Sequence, residues 1–408
     1  MKRLLSTLAV ASIVAAACGS SDALVVVDAP ASTTTTLAEV APTSSQPTTT
    51  SNTSTTTTTT EPLRPITFAF VGDVLIHGPL WRQAQRNATA AGLDDTDGIE
   101  STPPADFAPM FTDIEPLIAG VDLAVCHLES PVAPPGEEYS THPRYGAPAE
   151  IVDGVAAAGF DHCSTASNHT FDRGIPSLEA TVHRFDTVGI TQHGMARTPD
   201  EIEPRLLDVD GTVVAHMSYS YGWDVGQRPA DEPWRAVLID PERIIADATL
   251  ARDQGAEFVM ISLHWGNSGS SAVSAAQREL VDVLGPTGLV DLIVGHHAHV
   301  VQPIEQVNDM WVAYGLGNVL SNLPTIDSIW GPETQDGVIL TVEVDRTGDT
   351  PVVSDLAIVP TWVDKAAGWI IRDVHAGLAD PDLARIHGSL EQSLSRTSEV
   401  LADWISTK

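Results

Sequence analysis

Short apolar runs recur along the chain, and several end in a cluster of polar residues. Runs of this length bounded by turn-forming residues read as buried strands, predicted at 66–71, 121–126, 160–165, 212–219, 257–263, 290–294, 311–316, 337–344 and 352–359. Apolar residues recurring every three or four positions predict helices over 148–158, 176–187, 241–253, 274–284 and 382–404. Ser274 with Gln277 three residues on makes a capping box, Pro176 suits a first helical turn, and Gly255 marks a helix stop. Alternation of strand and helix predicts mainly parallel pairing, right-handed crossovers, and active residues on the loops that follow the strands. The last three strands lack long helices between them, which predicts hairpin-linked strands of a second sheet. The C-terminal helix spaces Leu383, Ile386, Leu390, Leu394, Leu401 and Trp404 along one stripe, a core or docking face.

The polar clusters carry the chemistry. Gly72-Asp73 follows the first run, His127-Leu128-Glu129 the second, His264-Trp265-Gly266 the run 258–263, and Gly295-His296-His297-Ala298-His299 the run 290–294. Between them lies Asn168-His169-Thr170-Phe171-Asp172-Arg173-Gly174. A single histidine is more often a satisfied core residue than a ligand. A carboxylate, a second carboxylate, Asn-His, His and His-x-His, each closing a strand, is instead the ligand order of a two-metal hydrolase.

From Ile66 to about Trp362 the chain resembles the capsule-synthesis and poly-gamma-glutamate-synthesis family called CapA, a branch of the calcineurin-like metallophosphoesterases. Arg144-Tyr145-Gly146-Ala147-Pro148, Ala157-Ala158-Gly159-Phe160-Asp161, Asn168-His169, His264-Trp265-Gly266, the His296 cluster and Leu316-Gly317-Asn318 occur in the family's order. The resemblance implies an α/β metallophosphatase-like four-layer sandwich, two mixed β-sheets flanked by helices. It also implies two divalent metal ions (Mn, Zn or Fe) that activate a water for attack on a phosphoester. In that alignment Asp73 binds the first metal, Glu129 bridges both, Asn168 and His264 bind the second, and His297 and His299 supply one ligand each. His169 is placed to protonate or stabilise the leaving oxygen. Asp172 either orients His169 or is a turn residue.

Other polar residues leave alternatives open. His77, four residues after Asp73, is a ligand candidate, and His127 is expected to point to the face opposite Glu129 and pack. Gln302 and Glu305 read as partners of the histidine cluster or as loop residues. Asn318 fits a turn and could touch substrate, while His142, Arg144 and Tyr145 are rim candidates for an anionic substrate. Relative to the family, Ser167 replaces a second Asn, Ala298 a Pro and Val319 a Phe, and Asn267-Ser268 stands where a Glu-Tyr pair is common. These changes spare the ligands and alter the substrate rim.

Composition changes the picture at the N-terminus. Met1-Lys2-Arg3, an apolar stretch 4–17 and Cys18 read as a lipoprotein-type signal peptide over 1–18, with Cys18 as the lipidated residue. Ala15 departs from the usual Leu, which leaves simple secretion open. Residues 19–63 are rich in Thr, Ser and Pro and too poor in apolar groups to fold, a tether reaching roughly 35 to 40 Å as a flexible coil. The main domain is then expected at 64–375, with the C-terminal amphipathic helix in 376–408 packed on it. A hydrophobic content of 43% is ample for such a core. Cys126 and Cys163 read as small core hydrophobes, although an exported chain permits a disulfide between them.

The formal net charge of −33 argues against nucleic-acid partners. It would also repel an anionic polymer, so contact with one must be local to the metals or to arginines such as Arg144 and Arg173. The expected function is a CapA-like capsule or poly-gamma-glutamate biosynthesis protein acting as a dinuclear metal-dependent hydrolase on an anionic phosphorylated or polymeric substrate. The alternatives are a non-catalytic, membrane-tethered subunit that binds polymer or membrane capsule-synthase subunits, and a 5'-nucleotidase-like scavenging phosphatase. The expected location is the bacterial cell envelope, on the outer face of the cytoplasmic membrane.

Overall fold

The computed structural model describes residues 63–93, 104–326 and 329–405. The signal peptide, Cys18 and nearly all of the tether lie outside these residues. In chain order the strands are β1 Ile66–Val74, β2 Leu123–Leu128, β3 His162–Ser164, β4 Thr191–His193, β5 Arg205–Val209, β6 Thr212–Ser220, β7 Phe258–His264, β8 Leu292–His296, β9 Ile304–Val307, β10 Met310–Ala313, β11 Asn318–Leu320, β12 Asp336–Asp345, β13 Val352–Asp364 and β14 Ile370–Asp373. They form two mixed sheets. The eight-stranded one runs β14-β13-β12-β1-β2-β3-β4 with β11 paired to β1, and the six-stranded one runs β5-β6-β7-β8-β10-β9.

The sheets face each other across an apolar layer that includes Ile66, Phe68, Phe70 and Val125 from one side and Val214, Phe258, Met260 and Val294 from the other. Helices cover the outer faces. Gly78–Ala91, Glu150–Ala157 and Gly174–Val188 contribute to the core outside the first sheet, and Pro241–Asp253 and Ala275–Leu284 to that outside the second. Burying both faces of the central strands explains why they read as continuous apolar runs.

The second sheet is not the hairpin set expected. β12, β13 and β14 join the first sheet, β12 pairing antiparallel with β1 from Ile66↔Val344 to Val71↔Ile339. The run 311–316 splits into β10, parallel to β8 in the second sheet, and the loop that leads to β11. A hairpin can extend whichever sheet offers an open edge, and β1 offered one. The C-terminal segment divides into 3-10 turns over Pro381–Ile386 and helices His387–Val400 and Ala402–Ile405. Its stripe is core: Ile386 and Leu390 are buried together, and Leu401 and Trp404 join the inter-sheet cluster. Cys126 and Cys163 form a disulfide across the β2–β3 ladder, Cα atoms 4.4 Å apart, so they are not free packing residues. Among the described residues no helix is long and apolar enough to cross a membrane.

Candidate metal centre

Parallel strands β1, β2, β3, β7 and β8 deliver their trailing residues to one end of the sandwich. Asp73 lies near the end of β1, where the chain must come close to the Leu316-Gly317 turn. A Cβ on Gly72 would fall 2.1 Å from the Gly317 carbonyl oxygen, so only glycine fits there. The Asp73 N–H donates to that same carbonyl at 2.9 Å. After β8 the backbone turns through left-handed conformations at His297 (φ 82°) and His299 (φ 58°), sparsely populated for non-glycine residues. That turn returns both imidazoles to the end of β1.

The carboxylates, Asn168 and the imidazoles of the expected ligand set converge. His299 Nδ1 lies 3.1 Å from Asp73 Oδ2, and its Nε2 lies 3.8 Å from Glu129 Oε1. His264 Nε2 lies 3.8 Å from the same Glu129 oxygen and 2.8 Å from Asn168 Oδ1. The rings of His297 and His264 are 4.7 Å apart. Glu129 is fully buried, and neither of its oxygens has a hydrogen-bond partner; His297 Nδ1 and His296 Nε2 also lack one, while His296 Nδ1 lies 3.4 Å from Asp73 Oδ1. Burial pushes the Glu129 carboxyl up to about 7, against the pull of His299. Leaving such a group unpaired is costly, and a cation is the natural compensation. Asp73, His127 and His264 form one group able to hold a metal, and Glu129, His297 and His299 another. The mixed oxygen and nitrogen donors are of the kind that binds divalent transition metals.

His169 sits beside this centre, Nε2 3.9 Å from Glu129 Oε1 and Nδ1 2.8 Å from Asp172 Oδ2. Burial pulls its pKa down, but the Asp172 hydrogen bond and the Glu129 charge outweigh that and hold it above the ordinary imidazole value. Asp172 also accepts the Tyr145 N–H at 2.7 Å, so it orients the histidine and the loop together. The centre opens into a cleft of about 830 Å³ lined by His77, Tyr145, His169, Asp224, His297 and His299.

Several expectations need correcting. His127 is not turned away from Glu129: a strand repeats every two residues, so positions 127 and 129 share a face. Its Nε2 lies 3.0 Å from His264 Nδ1, and its ring stacks on His296 at 3.9 Å. Burial pushes both His127 and His264 well below the ordinary imidazole value. His77 has both ring nitrogens engaged, by the Leu75 carbonyl and the Tyr145 hydroxyl, each at 3.1 Å, which leaves no lone pair for a metal. Asn318 is fully buried on β11, its Oδ1 3.1 Å from His299 Nδ1, so it holds a candidate ligand and is not placed on the substrate rim. Gln302 bonds to the 270 and 272 carbonyls and to Gln277, while Glu305 pairs with Arg278 and accepts the Tyr314 hydroxyl at 2.5 Å; neither holds the imidazoles. Arg173 is committed to Ser140 and Glu137, which removes it as a free anion-binding group. Arg144 is exposed, outside the residues that line the cleft, whereas Tyr145 and His142 do line it.

Asp224 and Tyr221 are site residues that the sequence reading passed over. Asp224 Oδ2 accepts from Asn168 Nδ2 at 2.7 Å, and Tyr221 donates to the other oxygen at 3.0 Å. Both follow β6, so the rule that found the other polar clusters, polar residues closing an apolar run, would have found these.

A mixed sandwich with a buried oxygen and nitrogen donor cluster at its strand ends defines an α/β protein with a candidate metal centre. The family model for "Bacterial capsule synthesis protein PGA_cap" matches residues 67–323, more than half of the chain, and the chain belongs to that family. The PGA biosynthesis protein CapA of Bacillus subtilis (strain 168) is 22% identical over 69% of this chain and 69% of its own length. The capsule biosynthesis protein CapA of Bacillus anthracis is 26% identical over 41% of this chain and 42% of its own. Among solved structures, the calcineurin-like phosphoesterase YfkN from Bacillus subtilis is 12% identical, covering 82% of this chain and 98% of that one, with a TM-score of 0.43.

Proposed function

We propose that this chain is a capsule or poly-gamma-glutamate biosynthesis protein acting as a dinuclear, metal-dependent hydrolase on an anionic phosphoester. The observation that carries the reading is Glu129: a fully buried carboxylate with two unpartnered oxygens, facing His264 and His299 at 3.8 Å and His169 at 3.9 Å. Asp73, Glu129, Asn168, His264, His297 and His299 would hold the cations. When bound, these would supply Lewis-acid charge and a water acidified toward neutral pH. His169, whose pKa the Asp172 hydrogen bond raises, would give its Nε2 proton to the leaving oxygen. The edge-on contact of the Tyr145 ring, centroids 4.5 Å apart, would help to hold the His169 ring for that transfer. Lipidation at Cys18 would tether the domain at the outer face of the cytoplasmic membrane, within reach of capsule-synthase subunits.

The test is metal analysis of the purified chain, a panel of phosphomonoesters and phosphodiesters with added Mn, Zn or Fe, and polymer output from cells carrying Glu129→Gln. The expected result is about two cations per chain, with turnover and polymer output both lost in Glu129→Gln. Normal polymer output from a well-folded, metal-depleted Glu129→Gln protein would remove the catalytic reading and leave an assembly role.

A further inference from the structure

Behind His264, on the side away from the cleft, a line of fully buried polar groups crosses from the second sheet to the first. His264 Nδ1 lies 3.0 Å from His127 Nε2, His127 Nδ1 lies 2.7 Å from Ser164 Oγ, and Ser164 Oγ lies 3.3 Å from the Cys126 carbonyl oxygen. His127, Ser164 and His264 are all fully buried. The protons on such a line are assigned from its ends, because a carbonyl oxygen can only accept. Ser164 therefore donates to Cys126, and its lone pair accepts from His127 Nδ1–H. A neutral imidazole protonated at Nδ1 has a bare Nε2, so His127 accepts from His264 Nδ1–H. That leaves the His264 Nε2 lone pair bare, on the side of the ring that faces Asn168.

A second, independent line ends at the same point. Asn168 Nδ2 donates to Asp224 Oδ2 at 2.7 Å, a carboxylate that can only accept, and this fixes the amide so that its Oδ1 faces His264. Asn168 Oδ1 and His264 Nε2 are 2.8 Å apart. With both lines set this way, two lone pairs converge, an arrangement that favours a cation against both atoms.

We propose that His127 and Ser164 form a positioning relay that holds His264 as its Nδ1–H tautomer, with Nε2 aimed at the second cation. The relay rests on the metal reading above, and it makes His127 a positioning residue, not a ligand. Partners of this kind typically change metal affinity by about 10- to 100-fold. The geometry also explains why a histidine serves at position 127. Nε2 and Nδ1 point in opposite directions, one toward each sheet, so a single neutral ring accepts on one side and donates on the other.

The test uses the full-length protein, stripped with chelator and reloaded with Co²⁺, reading affinity by competition and ligand geometry by visible absorption. His127→Leu should lower the affinity of one cation by roughly 10- to 100-fold and shift the Co²⁺ spectrum. His127→Gln, whose amide can accept and donate in the same place, should restore most of both. Ser164→Ala should move affinity in the same direction as His127→Leu, by less. Melting in chelator separates these effects from misfolding; should His127→Leu fail to fold, the Gln and Ser164→Ala pair carries the comparison. Unchanged affinity and spectrum in a folded His127→Leu protein would overturn the relay alone. Loss of a whole cation equivalent that Gln does not rescue would make His127 a ligand and also overturn it. A wild-type chain that takes up no Co²⁺ would remove the metal reading itself, and the relay with it.

Discussion

The layer between the two sheets has two ends built from the same strands. On β2 the inward residues run Leu123, Val125, His127; on β7 they run Phe258, Met260, Ser262, His264; on β8 they run Leu292, Val294, His296. The first members of each set belong to the apolar inter-sheet core, and the last are imidazoles in and behind the candidate metal centre. One end is satisfied by contact alone. The other leaves Glu129, His296 and His297 with buried atoms that make no hydrogen bond. Apolar packing is therefore concentrated at one end and buried polar atoms without hydrogen bonds at the other, and the strands carry the core into the candidate site.

That contrast can be broken in order of expected size. His169→Ala should leave the metals in place and lower phosphoester turnover by roughly 100- to 10,000-fold, about 3 to 5 kcal/mol of barrier. Loss of both metals in that protein, read by elemental analysis, would make His169 a ligand. At the other end, Phe258 is fully buried against Phe68, ring centroids 5.6 Å apart. Phe258→Ala should cost about 3 to 5 kcal/mol in urea unfolding while the metal content of the folded fraction stays at the wild-type value. A metal-depleted but stable Phe258→Ala protein would show that the two ends are not separable in this way.

The smallest effect belongs to the rim of the apolar end, where Arg64 pairs with Asp122 at 2.7 Å. The Arg64 hydrogen bond holds the Asp122 carboxyl down to about 2, outweighing burial. A depressed carboxylate stabilises the fold above its unfolded pKa of about 3.9, and that contribution is lost as pH falls through about 2. Asp122→Asn should remove this acid-side dependence, a small effect because the arginine is exposed to solvent, while an amide oxygen can still accept the Thr67 N–H. A wild-type melting curve that Asp122→Asn reproduces at pH 2 and at pH 6 would deny the pair any role.

The central strands were legible because burial on both faces writes a continuous apolar run, as in Phe258 to Leu263. The helix Gly78–Ala91 was not, because its buried face is Gly78, Leu80, Ala84 and Ala88, mostly too small to stand out as a stripe. Short strands such as β4 and β14 have three and four residues, below what alternation can signal. At the site, Asp73, Glu129 and the histidine cluster announced themselves by type and place. Asn318 was named as a substrate candidate, and its place beside His299 was not legible, because the two are nineteen residues apart and only the fold brings them together. Cys126 and Cys163, 37 residues apart, needed the β2–β3 pairing before their distance was known.

The Cys126–Cys163 bond lies one residue before His127 on β2 and one before Ser164 on β3. A parallel pair that slips by a single residue sends every side chain to the wrong face, turning His127 out of the inter-sheet layer and Cys126 into it. Two crossed thiols in adjacent strands rule that error out covalently. The bond thus ties one register of β2 on β3 to the two positions, His127 and Ser164, that follow it.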